Sequence, residues 1–143
     1  MKRAIVASDH AGFPLKEEAK AWLSQLGYAV EDAGCYSTEP CDYPFYAARL
    51  AKALKAKKAA CGLMVCSTGI GSSIALNRFK GVRAALCTSE AMARQAREHV
   101  DANVLVLGSR VTPAAKAKRI TRVFFSTKFS GAARHARRVR LLG

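Results

Sequence analysis

The feature that most constrains this chain is an alternation of two periodicities. Five apolar runs of strand length, Arg3 to Ser8, Tyr28 to Asp32, Ala60 to Val65, Val82 to Cys87 and Asn103 to Leu107, are each followed over a short link by a stretch of helical spacing. Pro14 to Leu26 sets Leu15, Ala19, Trp22 and Leu26 on one face, with Pro14 suited to a first turn and Gly27 to a stop. After a polar loop at 33–43, Tyr46, Leu50 and Leu54 mark a second helix. Further helices are expected at Ile74 to Phe79, Glu90 to Glu98, Pro113 to Phe125 and Ala132 to Leu142. This pattern predicts an α/β fold: a three-layer αβα sandwich with a five-stranded parallel sheet, right-handed crossovers and a basic C-terminal helix. No internal repeat or linker interrupts the 143 residues, which read as one domain.

In such a sheet ligands sit beyond the carboxyl ends of the strands. Three of those ends carry polar groups: Asp9-His10, the stretch from Cys66 to Gly71, and Gly108-Ser109-Arg110. The central one belongs to Val65-Cys66-Ser67-Thr68-Gly69-Ile70-Gly71-Ser72-Ser73, a strand that runs through small residues into a helix. A turn of this kind leaves backbone N–H groups unpaired and pointing outward, where the helix dipole adds to their attraction for negative charge. Cys66 stands at the head of this nest, in a field that favours thiolate, as a nucleophile or a general base.

Composition narrows the class. The net charge is +14, and no acidic residue follows Asp101, so the C-terminal third is basic throughout. Nucleic-acid binding would use such a surface, but no recognition motif accompanies the charge, and apolar Ile120, Val123 and Phe124 at helical spacing indicate a folded helix with a solvated basic face. No apolar run is long enough to span a bilayer, and Met1-Lys2-Arg3 is followed by too short an apolar stretch for an export signal. The five cysteines are odd in number and include no Cys-x-x-Cys pair, which predicts reduced thiols in the cytoplasm rather than disulfides or a zinc site.

Two phosphate-binding loops resemble the central stretch and fail on single positions. A dinucleotide fingerprint needs a third glycine where Ile74 stands, and there is no Gly-Lys-Ser/Thr for a P-loop. A tyrosine-phosphatase loop needs an arginine six residues after its cysteine to clamp the phosphoryl group; that position is Ser72.

The motifs Ser8-Asp9-His10-Ala11-Gly12-Phe13, Asp42-Tyr43-Pro44, Cys66-x-Thr68-Gly69-Ile70-Gly71, His99-x-Asp101-x-Asn103 and Gly108-Ser109-Arg110, with Arg134-His135 and Arg138 near the end, resemble in order the sugar-phosphate isomerases of ribose-5-phosphate isomerase type B and galactose-6-phosphate isomerase. The resemblance implies a Rossmann-like, cytoplasmic, metal-free and cofactor-free aldose–ketose isomerase. It also implies a homodimer or dimer of dimers whose site is shared between subunits, with a small phosphorylated sugar as its partner and neither nucleic acid nor membrane. Carried over residue by residue, it makes Cys66 the base and Thr68 the group that shares protons with the substrate oxygens. His99 becomes the acid/base that opens the cyclic sugar, and Asp9 binds sugar hydroxyls. Amides from Ser67 through Gly69 and Ile70 to Gly71 hold the oxyanion, Tyr43 walls the site, and Arg134 and Arg138, one helical turn apart, grip phosphate with His10 and Arg110. Ser67 replaces a usual glycine. Val100 replaces a usual asparagine and withdraws an amide that would bond a sugar hydroxyl. Ribose 5-phosphate is the expected substrate; a 6-phosphohexose such as allose or galactose 6-phosphate, or phosphosugar binding without turnover, is the alternative.

Overall fold

The computed structural model describes residues 2–56, 59 and 61–143. Its elements are β1 (Lys2–Ser8), α1 (Phe13–Gln25), β2 (Tyr28–Asp32), α2 (Tyr43–Ala56), β3 (Cys61–Cys66), α3 (Ile70–Asn77), β4 (Ala84–Leu86), α4 (Glu90–Glu98), β5 (Val104–Gly108), α5 (Ala114–Ser126) and α6 (Ala133–Leu142). The five strands form one parallel sheet in the order β2-β1-β3-β5-β4. The α/β sandwich expected from the alternation is therefore the fold observed.

Side chains that alternate along the central strands feed two cores. Ala4, Val6, Leu63, Val65, Leu105 and Leu107 point to the side covered by α1, α4 and α5, where Leu23, Ile120 and Phe124 are fully buried. Ile5, Ala7, Met64, Val104 and Val106 point to the other, covered by α2 and α3 through Leu50 and Leu76. Because β3 and β5 are covered on both sides, every one of their residues is buried and apolar or glycine, as interior parallel strands require. Helix α6 stands apart: His135 is its one buried residue, while Leu141 and Leu142 are exposed.

Most element ends fall within one residue of expectation, and three elements call for comment. Helix α3 starts at Ile70 rather than Ile74 and ends at Asn77, because Gly69, at φ +86°, reverses the chain and begins the helix inside the small-residue stretch. Strand β4 keeps only Ala84–Leu86 of the expected Val82 to Cys87, since side-chain amides satisfy the backbone at its start. Asn103 Oδ1 accepts from the Arg83 N–H (2.8 Å), and Asn77 pairs with both the N–H and the carbonyl of Ala84 (2.8 and 3.0 Å). Strand β3 begins at Cys61; the expected first residue, Ala60, lies outside the described residues.

The order reverses between β1 and β3, the first connection running outward to β2 and the later ones to β5 and β4. A reversal of this kind opens a crevice where the links leave the two central strands in opposite directions. The residues just beyond Ser8 and Cys66 flank it.

Candidate active site

Beyond β1, the Asp9 N–H donates to the Val65 carbonyl (3.2 Å), and Asp9 Oδ1 accepts from the Gly12 N–H (3.0 Å) at the head of α1. One carboxylate oxygen is thereby used as a cap, leaving Oδ2 without a partner among the described residues. Gly12 packs so closely on β3 that a Cβ there would overlap the Val65 carbonyl. His10 is half-buried, and its Nδ1 accepts from the Cys41 N–H (3.1 Å), so the neutral ring carries its proton on Nε2.

Cys66 is 4% exposed, and its Sγ accepts from the Gly69 N–H at 3.1 Å. The Ile70 N–H donates to Thr68 Oγ1 (3.2 Å). Thr68 thus accepts from the backbone and keeps its own O–H to donate outward. The first intrahelical bond of α3 runs from the Ser73 N–H to the Gly69 carbonyl (3.0 Å), which leaves the Gly71 and Ser72 amides without helical partners. Of the amides expected to hold an oxyanion, those of Gly69 and Ile70 are thus occupied by Cys66 and Thr68, whereas that of Gly71 has no partner among the described residues. The Tyr43 ring lies over this turn: a Cβ on Gly71 would fall 2.6 Å from its Cε1 and hydroxyl oxygen.

Beyond β5, the Ser109 and Arg110 N–H groups donate to the carbonyls of Cys66 (2.8 Å) and Ser67 (2.9 Å), and Ser109 Oγ donates to the Ala11 carbonyl (3.0 Å). Gly108 admits this docking because a Cβ there would overlap the Thr68 carbonyl. Arg110 is thereby fixed on the rim with its side chain exposed.

The remaining expected residues lie at the opposite end of the sheet. His99 caps the C-terminus of α4 and precedes β5, whereas Cys66 is in register with Gly108 at the far end of that strand. A five-residue strand separates the two ends by about 16 Å. Here His99 stacks on His135 of α6, with ring centroids 4.4 Å apart, and Ser130 Oγ lies 2.6 Å from His135 Nδ1. His99, Val100, His135 and Arg138 line a cavity of about 320 Å³, with Arg134 one turn earlier on α6. The turn that presents them is held by Asp101, at φ +50°, which ion-pairs with Arg97 (3.0 Å) and Arg83 (3.5 Å). Burial and the charges of Arg134, His99 and Arg138 push the His135 imidazole below its usual range, so it favours the neutral form.

A family profile described as ribose/galactose isomerase matches residues 4–142. The chain belongs to that family. Among similar proteins, ribose-5-phosphate isomerase B of Escherichia coli is 41% identical over 139 residues, covering 97% of this chain and 93% of the relative. A protein of that name from Mycolicibacterium paratuberculosis is 37% identical over 98% of this chain and 89% of its own. Among solved structures, the ribose 5-phosphate isomerase of Thermotoga maritima superposes with a TM-score of 0.94 at 47% identity, covering 99% of this chain and 97% of that one.

Within one chain, then, the structure gathers Asp9, His10, Tyr43, Cys66 to Gly71 and Arg110 at one rim, and His99, Val100, Arg134 and Arg138 at the other. Neither the Cys41 amide that orients His10 nor the Ser130–His135 pair behind His99 is marked by a motif in the sequence. The first is a backbone group with no side-chain signature; the second depends on how α6 docks. Two other thiols are set aside by their surroundings: burial pushes Cys87 up to about 11 and also raises Cys61, so both stay protonated and poor as nucleophiles. Larger concavities, each about 570 Å³, border the Phe79–Val82 turn and offer apolar, lysine, arginine and amide groups with no acid–base pair.

Proposed function

We propose that residues 1–143 act as a single sugar-phosphate isomerase domain that interconverts ribose 5-phosphate and ribulose 5-phosphate through an enediolate, with Cys66 as general base. The observation that carries this reading is the Cys66 sulfur at the head of the Gly69 turn, next to the free amides at the start of α3. The similarity to ribose-5-phosphate isomerases over nearly the whole chain supports the substrate.

The chemistry follows from these positions. Cys66 thiolate removes the proton from C2 of the open-chain aldose, and the electron pair moves through C1 onto the aldehyde oxygen. The free Gly71 amide stabilises that oxyanion; one such donor contributes about 3 kcal/mol in other enzymes. The outward O–H of Thr68 protonates O1, and the same oxygen takes the proton from the C2 hydroxyl. The C2 carbonyl then forms as Cys66 returns its proton to C1. The free Oδ2 of Asp9 accepts from a sugar hydroxyl, and Tyr43 covers the turn. His10 Nε2–H and Arg110 meet the phosphate from the same chain.

His99, Arg134 and Arg138 reach this substrate from a second copy, because their own Cys66 lies at the far end of the sheet. The reading therefore entails a homodimer, or a dimer of dimers, with sites at the subunit interface. A reducing, cytoplasmic setting accords with five cysteines that are all free thiols. Val100, 40% exposed beside His99, favours a second reading in which a 6-phosphohexose is preferred, since valine offers no amide to a pentose hydroxyl.

The deciding measurement is turnover of ribose 5-phosphate, allose 6-phosphate and galactose 6-phosphate by the wild type and by Cys66→Ala. Wild-type turnover with a kcat loss of about 10³-fold in the variant is expected of a missing base. Equal rates for both proteins would remove Cys66 from the mechanism, and no turnover of any sugar would overturn the assignment.

A further inference from the structure

Lys16 has no place in the chemistry above, yet its side chain is fully buried. Its ammonium spends all three N–H groups on fixed acceptors: both Asp32 carboxylate oxygens (2.7 Å each) and the Cys35 carbonyl (2.6 Å). It also lies over the rings of Phe13 and Tyr36, 5.2 and 5.3 Å from their centroids. With no free N–H and no exposure, it is neither a nucleophile nor a ligand.

What it holds leads to the site. Asp32 Oδ1 also accepts from the Gly34 N–H (2.9 Å). The segment after Asp32 continues the pairing with β1 beyond the end of β2. The Ser8 N–H donates to the Gly34 carbonyl (2.7 Å), and the Cys35 N–H to the Ser8 carbonyl (2.9 Å). Two residues on from Ser8 is His10, whose ring is held by the Cys41 amide on the same loop. The Lys16–Asp32 pair thus clamps the base of a loop whose far end orients a histidine. A buried ion pair adds little net stability over apolar residues of the same size, so its use here points to geometry rather than to folding energy.

We propose that Lys16 and Asp32 are positioning residues for His10: they fix the loop at 33–41 so that the Cys41 amide locks His10 with Nε2–H facing the ligand. The inference rests on the reading of His10 as a phosphate contact. A loosened loop frees His10 Nδ1, the ring samples both tautomers, and the donor to the phosphate is present only part of the time.

The test reads the histidine directly. The chain has three histidines, so a His10→Gln control assigns the His10 ring in nitrogen-15 spectra. The wild type should show a proton on Nε2 and an acceptor at Nδ1; a ring protonated on Nδ1 overturns the proposal without any variant. In the double variant Lys16→Met with Asp32→Asn, no charge is left buried alone and the asparagine oxygen still accepts from Gly34, which guards the fold. Mixed His10 tautomers, inorganic phosphate bound about five- to tenfold more weakly, and a KM for ribose 5-phosphate that rises more than kcat falls are expected. A folded double variant with wild-type tautomer and phosphate affinity overturns the inference. Tautomer and phosphate binding need no turnover: a protein inactive on every sugar that still loses the lock in the double variant supports the clamp while refuting the isomerase.

Discussion

At the scale of single residues, the site is built by what is missing from side chains as much as by what is present. Gly12 and Gly108 let the rims of β1 and β5 close on β3, because each faces a backbone carbonyl that cannot yield. Gly12→Ala should cost about 3 kcal/mol or more, since the Val65 carbonyl cannot swing aside as a side-chain tip would. Chemical denaturation measures this, and a loss under about 1 kcal/mol would mean that the approach is looser than described. Val100 is the converse case, an apolar side chain where a polar one would serve. It is 40% exposed on the lip of the cavity holding His99, so Val100→Asn should fold without penalty. If the missing amide sets sugar preference, that variant gains about tenfold in kcat/KM for ribose 5-phosphate over a 6-phosphohexose, the worth of one hydrogen bond to a hydroxyl. An unchanged ratio in paired assays would place the determinant elsewhere.

At the scale of elements, the end of β2 and the start of α1 are joined by charge, which makes their junction sensitive to acid. Burial alone would raise the Asp32 pKa, but Lys16, the Gly34 N–H and Lys20 outweigh it and hold the carboxyl below its usual 3.8. A carboxyl depressed in the folded state contributes stability that is fully present above the unfolded value and lost as pH falls through the folded one. The stability of the wild type should therefore drop below about pH 4, and Asp32→Asn should flatten that part of the profile. Parallel curves for the two proteins across acid denaturation would assign the loss to other carboxyls. The elements also show which features the chain displays in advance. Apolar periodicity suffices for β3 and β5, which are buried on both sides, and for α1, where Pro14 and Gly27 mark the ends. It fails for the first turn of α3. Ile70 to Ser73 is poor in helix formers and reads as loop, and only the left-handed Gly69 starts the helix there. It fails again at β4, where Asn77 and Asn103 take over backbone bonds that a longer strand would have made. In the candidate site, the residues following strands could be placed from order alone. The Cys41 bond to His10 and the stacking of His99 on His135 could not, since both depend on how distant segments dock.

At the scale of the whole molecule, the polarity of the parallel sheet separates the proposed site residues. Whatever ends or follows a strand lies at one end and whatever precedes it at the other, so Cys66 at the close of β3 and His99 before β5 cannot meet in one chain. A site needing both is complete only when a second copy presents its α4–β5 turn and α6 to the rim of the first. Exposed apolar groups beside these elements, Met92, Val100, Leu141 and Leu142, suit such a contact. In the proposed homodimer, two-fold symmetry makes the arrangement reciprocal, each interface creating two sites with a cysteine from one chain and a histidine from the other. The consequence is arithmetic. Cys66→Ala and His99→Ala homodimers each carry a defect in both sites. In a mixed dimer both defects fall in one site, and the other has its cysteine and histidine intact. Co-refolding equal amounts of the two variants makes half of the dimers mixed, each with one intact site of two, so activity on ribose 5-phosphate should return to about a quarter of the wild type. Mixing without unfolding should restore activity only as fast as subunits exchange. A co-refolded mixture no more active than the mean of its parents would show that His99 serves its own chain or none, and the shared site would fall with it.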